Sequence, residues 1–120
     1  AAGYDSDNNY TSEVAVNWHV NNTLSGLGDS LNISNTTLTP LEPGSGQVYT
    51  SNSQGWTDDQ TGTITVRSGS LASLKIQTQS GEGGAELGVY TGTAGDSLLL
   101  YAAGYDDNGN YLGLQNVVWS

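Results

Sequence analysis

The sequence predicts an all-β fold, an antiparallel sandwich of short strands. Three observations carry this. No segment keeps a helical apolar period over a dozen residues, whereas strict alternation of apolar and polar residues returns several times. The composition is Gly, Ser, Thr and Asn with Val, Leu and Tyr between them, which suits many strands joined by tight turns. Clusters of turn-forming residues then cut the chain at short intervals.

Taken in order, Glu13-Val14-Ala15-Val16-Asn17-Trp18-His19-Val20 reads as the first strand. It sets Val14, Val16, Trp18 and Val20 on one face and Glu13, Asn17 and His19 on the other. Leu31–Ser34 and Gln47–Thr50 are shorter candidates. In Thr63–Arg67, Ile64 and Val66 share a face, and Leu74-Lys75-Ile76-Gln77 repeats the pattern. Leu98–Ala103 is apolar on both faces and reads as a buried central strand. Turn chemistry separates them at Asp7-Asn8-Asn9, Pro43-Gly44-Ser45-Gly46, Gly81-Glu82-Gly83-Gly84, Gly95-Asp96 and Asp107-Asn108-Gly109-Asn110.

The chain also repeats itself. Ala1 to His19 and Ala102 to Ser120 align at one constant, ungapped offset. Ala-Ala-Gly-Tyr-Asp falls on Ala-Ala-Gly-Tyr-Asp, Asn9-Tyr10 on Asn110-Tyr111, and Val16 and Trp18 on Val117 and Trp119. A period of this size is the mark of a tandem array. The chain is expected to enter one repeat partway and to stop at the same point of the next. The boundary is placed at Arg67-Ser68-Gly69-Ser70, so that residues 1–67 are the back half of one repeat and 68–120 the front half of the following one. Trp18 and Trp119, each following Val at the same spacing, are expected at equivalent buried positions.

Composition narrows the class. Net charge is −10 with only two basic residues, Arg67 and Lys75. That field repels phosphate, so nucleic acid and anionic membranes are excluded as partners. The absence of Cys removes disulfides and thiolate chemistry, and the absence of Met means that Ala1 is not a translation start. No apolar run is long enough for a signal or membrane helix, so any export signal is expected to have been removed or to lie outside this window.

The order of motifs resembles the bacterial immunoglobulin-like domains of the Big and invasin type. They stand in tandem in surface adhesins and in appendages of secreted enzymes. The matching stretches are Thr93-Ala94-Gly95-Asp96-Ser97-Leu98, Ala103-Gly104-Tyr105-Asp106-Asp107-Asn108-Gly109-Asn110 and Val117-Val118-Trp119-Ser120, with Thr61-Gly62-Thr63-Ile64-Thr65-Val66 as the closing strand. The resemblance covers most of a repeat in circularly permuted order, and residues 20–60 match poorly. It implies an immunoglobulin-like sandwich, arranged in tandem or head to tail, with an extracellular or cell-surface location. The role it implies is structural, in a filament or adhesin stalk, with neighbouring copies of the chain or adjoining repeats as partners. The alternative is a carbohydrate-binding or spacer module of a secreted polysaccharide-degrading enzyme.

Sites with chemistry are few. His19 is the only histidine and lies on the polar side of its strand, where a solvated role outweighs a Ser–His–Asp arrangement. No phosphate loop, zinc spacing or nucleophile elbow is present, so the chain is not read as an enzyme and needs no cofactor. Asp5, Asp7 and Asn9, and again Asp106, Asn108 and Asn110, set oxygen ligands at alternate turn positions, as the start of a calcium loop does. The distal acid is not shared, since Glu13 falls on Leu114, and Asx-rich turns produce the same letters without an ion. Sequons at Asn9, Asn21, Asn32 and Asn35 make covalent glycans an expectation if the chain is exported past a suitable transferase. Exposed Tyr and Trp rings could stack on surface glycans.

Overall fold

Nine short strands and no helix make up the chain in a computed structural model that describes all 120 residues. Every strand pair is antiparallel. The chain forms two units, Ala1–Arg67 and Ser68–Ser120.

In the first unit, β1 (Ala2–Tyr4) and β2 (Tyr10–Glu13) form a hairpin. β3 (Asn17–Val20) pairs with β5 (Val48–Ser51), and β4 (Gly44–Gly46) pairs with β6 (Ile64–Val66). The single strand expected over Glu13–Val20 is thus two strands. Its alternation breaks at Val14–Val16, where Val16 leaves the ladder to bridge Ile33 and becomes buried. The Leu31–Ser34 candidate is reduced to that one bridge, because Asn32 takes a left-handed backbone, φ 51°, that no strand can continue.

Pro43–Gly46, expected as a turn, instead supplies β4. Glycine explains the difference. A Cβ on Gly46 would lie 2.2 Å from the Asn21 carbonyl, and one on Gly44 would lie 2.3 Å from that of Thr23. The bare backbone lets residues 21–23 lie along β4, with the Thr23 amide donating to the Ser45 carbonyl and the Asn21 side-chain oxygen accepting from the Gln47 amide. Val16, Leu24 and Val48 are the buried apolar residues of this unit.

In the second unit, β7 (Ser73–Gln77), β8 (Tyr101–Tyr105) and β9 (Tyr111–Leu114) form one sheet in the order β7-β8-β9. The central strand begins at Tyr101, not Leu98, and Leu98 and Leu99 are exposed. Its buried apolar residues are Ala102, Ala103 and Tyr105. β7 does not bury its expected apolar face, and Gln77 is its one buried residue. Leu74 and Ile76 are exposed, while Gln77 is 1% exposed and donates to the Tyr105 hydroxyl, and the Lys75 ammonium stands 4.9 Å from the Tyr105 ring centroid.

Candidate functional site

The duplicated sequence is duplicated structure. β2 and β9 coincide residue for residue along the repeat, and β1 falls on Ala103–Tyr105 of β8. The pairing is the same in both hairpins. Ala2 faces Glu13 as Ala103 faces Leu114, and Tyr4 faces Tyr10 as Tyr105 faces Tyr111, with a register shift between them in each. The facing tyrosines meet at 6.0 Å in the first hairpin and 5.7 Å in the second. A side chain lies close over the glycine at the same place in both hairpins. A Cβ on Gly3 would lie 2.9 Å from Val14, and one on Gly104 would lie 2.8 Å from Gln115, the residue that corresponds to Val14.

The turns match bond for bond. The Asp5 amide donates to the Asn9 carbonyl and the Asn8 amide to the Asp5 carbonyl, as Asp106 does with Asn110 and Gly109 with Asp106. The Asp5 carboxylate accepts from the amides of Asp7 and Asn9 and from the Asn9 side chain. Asp106 accepts from the corresponding groups of Asn108 and Asn110, and also from the Gly69 amide at 2.8 Å. Asn8 and Gly109 hold the left-handed position, at φ 63° and 81°, which Asn and Gly tolerate best.

These bonds favour the charged carboxylates. The Asn9 amide, followed by its side chain, lowers the pKa of Asp5. Asp106 is lowered to about 2, first by the Asn110 side chain, with burial working in the opposite direction and the amides of Asn110, Gly69 and Asn108 assisting. The Asp and Asn letters that resemble a calcium loop are therefore engaged by the turn itself. Asp7 and Asn108 contribute only backbone amides to these bonds, and Glu13 lies 3.6 Å from the Ala1 amino group.

What differs between the two hairpins is their surroundings. β8 carries β7 on its far side, with Ser73 opposite Tyr105, Leu74 opposite Gly104 and Lys75 opposite Ala103. The Ala72 amide donates to the Tyr105 carbonyl. β1 has no strand on that side. An open cleft of about 890 Å³ is lined by Ala1–Asp5, by Thr11 and Ser12 of β2, and by a wall that includes Trp18, Val48, Thr50, Trp56, Asp58 and Asp59.

The reverse holds at the other end of the repeat. Trp18 is half-buried. Its backbone amide donates to Ser30, its indole donates to Ile33, and its strand pairs with β5. Trp119, expected to be buried like it, is 53% exposed, Val118 is 96% exposed, and neither belongs to a strand. The reason is that residues 68–120 contain no counterpart of Ser30, Ile33 or β5. The Val-x-Trp spacing is the same at the two tryptophans, and only one has a partner to pair with.

The sequons fall into two kinds. The Asn9 side chain is bound to Asp5, and that of Asn21 accepts from Gln47. Asn32 and Asn35 are exposed, with no hydrogen bond on either side chain. His19 stacks on Tyr49 at 4.9 Å and bonds the Ser51 hydroxyl at 2.8 Å, a contact that depends on the β3–β5 register and that sequence alone could not supply. No carboxylate bonds the other ring nitrogen to orient it, as the third member of a triad would.

Compared with known protein families, curated proteins and solved structures, the chain matches none.

Proposed function

We propose that this chain is a structural link of an extracellular filament or adhesin stalk, built from immunoglobulin-like sandwich units joined head to tail. One observation carries the reading. The same hairpin is present twice, at the same register and with the same turn, yet each copy keeps only part of the surroundings that the other has. The first lacks a strand beside β1, and the second lacks partners for Val117–Ser120. Neighbouring copies or adjoining repeats supply what is missing, so residues 1–67 and 68–120 act as the back and front of successive repeats.

The thin core supports this reading. The buried apolar residues of the second unit are two alanines and Tyr105, whereas Leu71, Leu74, Ile76, Val89, Leu99 and Trp119 are among those left exposed. Such surface is a liability in a lone domain and an asset in one that is covered by a neighbour. On a cell surface, Asn32 and Asn35 would be the sequons open to a transferase.

A second reading, a carbohydrate-binding module, is favoured by the cleft of the first unit. Tyr4 and Trp56, 60% and 50% exposed, line it together with Trp18 and polar side chains. Stacking of sugar rings there would perturb the Trp56 fluorescence on addition of soluble polysaccharides.

Size-exclusion chromatography with light scattering on the 120-residue chain tests the link reading. Expected is a mass above the 12.5 kDa of one chain, rising with concentration. A monomer at all concentrations, unfolding in one cooperative transition, overturns it.

A further inference from the structure

We infer that the open edge of β1 is an acceptor for one kind of partner, an antiparallel strand with the sequence character of β7. The inference rests on the link reading above and deepens it by naming the occupant and its register.

The second unit provides the template. There the hairpin β8–β9 is extended by Ser73-Leu74-Lys75-Ile76-Gln77, whose residues face Tyr105, Gly104, Ala103, Ala102 and Tyr101 in turn. Transferred along the repeat, the same strand sets its Ser opposite Tyr4, its Leu opposite Gly3, its Lys opposite Ala2 and its Ile opposite Ala1. The hairpin that would receive it already has the required register, shift and turn. The Tyr105 carbonyl that accepts from Ala72 has its counterpart in the Tyr4 carbonyl, beside which no strand lies. Edge addition satisfies such groups through main-chain bonds and reads side chains at alternate positions.

The cleft and its charge fit the same occupant. The cleft of about 890 Å³ is lined by Ala1–Asp5 and also by Thr11 and Ser12 of β2, so it adjoins both strands of the hairpin, and side chains of an added strand would lie at its β1 rim. Asp5, Asp58 and Asp59 line the cleft with no Lys or Arg among its walls. β7 carries Lys75, the one lysine of the chain, and in the second unit that side chain stands over the Tyr105 ring. The counterpart ring, Tyr4, is exposed at the cleft. A lysine opposite Ala2 would meet both an aromatic face and an acidic wall.

The test is NMR titration of the ¹⁵N-labelled full chain with a synthetic peptide of the sequence Leu71 to Thr78. Expected are saturable shifts at the amides of Ala2, Gly3 and Tyr4 and at the Trp18 indole. A peptide with Lys75→Pro, which lacks an amide donor at the centre of the strand, should leave these signals unmoved. Shifts confined to Tyr101–Tyr105, where the peptide would exchange with the chain's own β7, overturn the inference, as does the absence of any shift at Ala2–Tyr4. Because β1 is probed directly, a chain that stays monomeric yet takes the peptide loses the link reading alone. A chain that assembles but refuses the peptide loses the β1 inference alone.

Discussion

Asp106 and the two tryptophans show how identical residues come to differ by what lies opposite them. Both turn carboxylates accept amide hydrogens from their own loop, but only Asp106 also holds Gly69 and is buried. Its folded pKa of about 2 lies below the ordinary 3.8. The contribution of this group is therefore fully present above the ordinary value and is lost as pH falls through about 2. Acid unfolding followed by circular dichroism should show Asp106→Asn with a weaker dependence on pH across that window than the parent. An equal dependence would mean that other carboxylates govern acid stability. At the tryptophans the expected effects diverge. Trp18→Ala should cost about 3 kcal/mol, within the range for truncating a packed large aromatic, while exposed Trp119→Ala should cost less than about 0.5 kcal/mol in the isolated chain. Urea unfolding of the two variants measures both, and equal costs would contradict the exposure of Trp119.

Elements were legible where their chemistry is local. The letters Asp, Asn and Gly specify the two turns directly, through carboxylate acceptors two and four residues before their donors and residues tolerant of positive φ. The all-β class followed from the alternation for the same reason, since side-chain period is a property of a single strand. Pairing is not local, and there the sequence reading departs from the structure. Val117 and Trp119 keep the spacing of Val16 and Trp18, but a strand forms only where β5 is available. β4 was hidden because its glycines are needed for close approach of the Asn21 and Thr23 backbone, whereas the same letters commonly mark a turn. Gly46→Ala should therefore destabilise the first unit by more than the roughly 1 kcal/mol that propensity alone would change, because the added methyl meets a carbonyl. A melting temperature equal to the parent's would show that residues 21–23 do not lie along β4. The candidate edge at β1 was legible only as a duplication, because its openness depends on a strand that sequence cannot place.

At the scale of the whole molecule, the chain combines two copies of one hairpin with two different halves of its environment. In the proposed array, stability is shared between the units and the interfaces that join them, so it would grow as neighbours are added. The sequence permits a direct construction of those neighbours. Residues 1–101 can be repeated head to tail and closed with residues 102–120, because Tyr101 followed by Ala1 reproduces the native join of Tyr101 to Ala102. Each internal hairpin then has the β7 sequence before it and the β3–β5 sequences after it in the chain. Thermal unfolding of chains with one, two and three such repeats is the most direct measurement. Melting temperature should rise from the single chain to the longer ones, with β1 amides in the internal repeats gaining protection from hydrogen exchange. Melting that is the same at every length, with β1 unprotected throughout, would contradict completion of each unit by its neighbour.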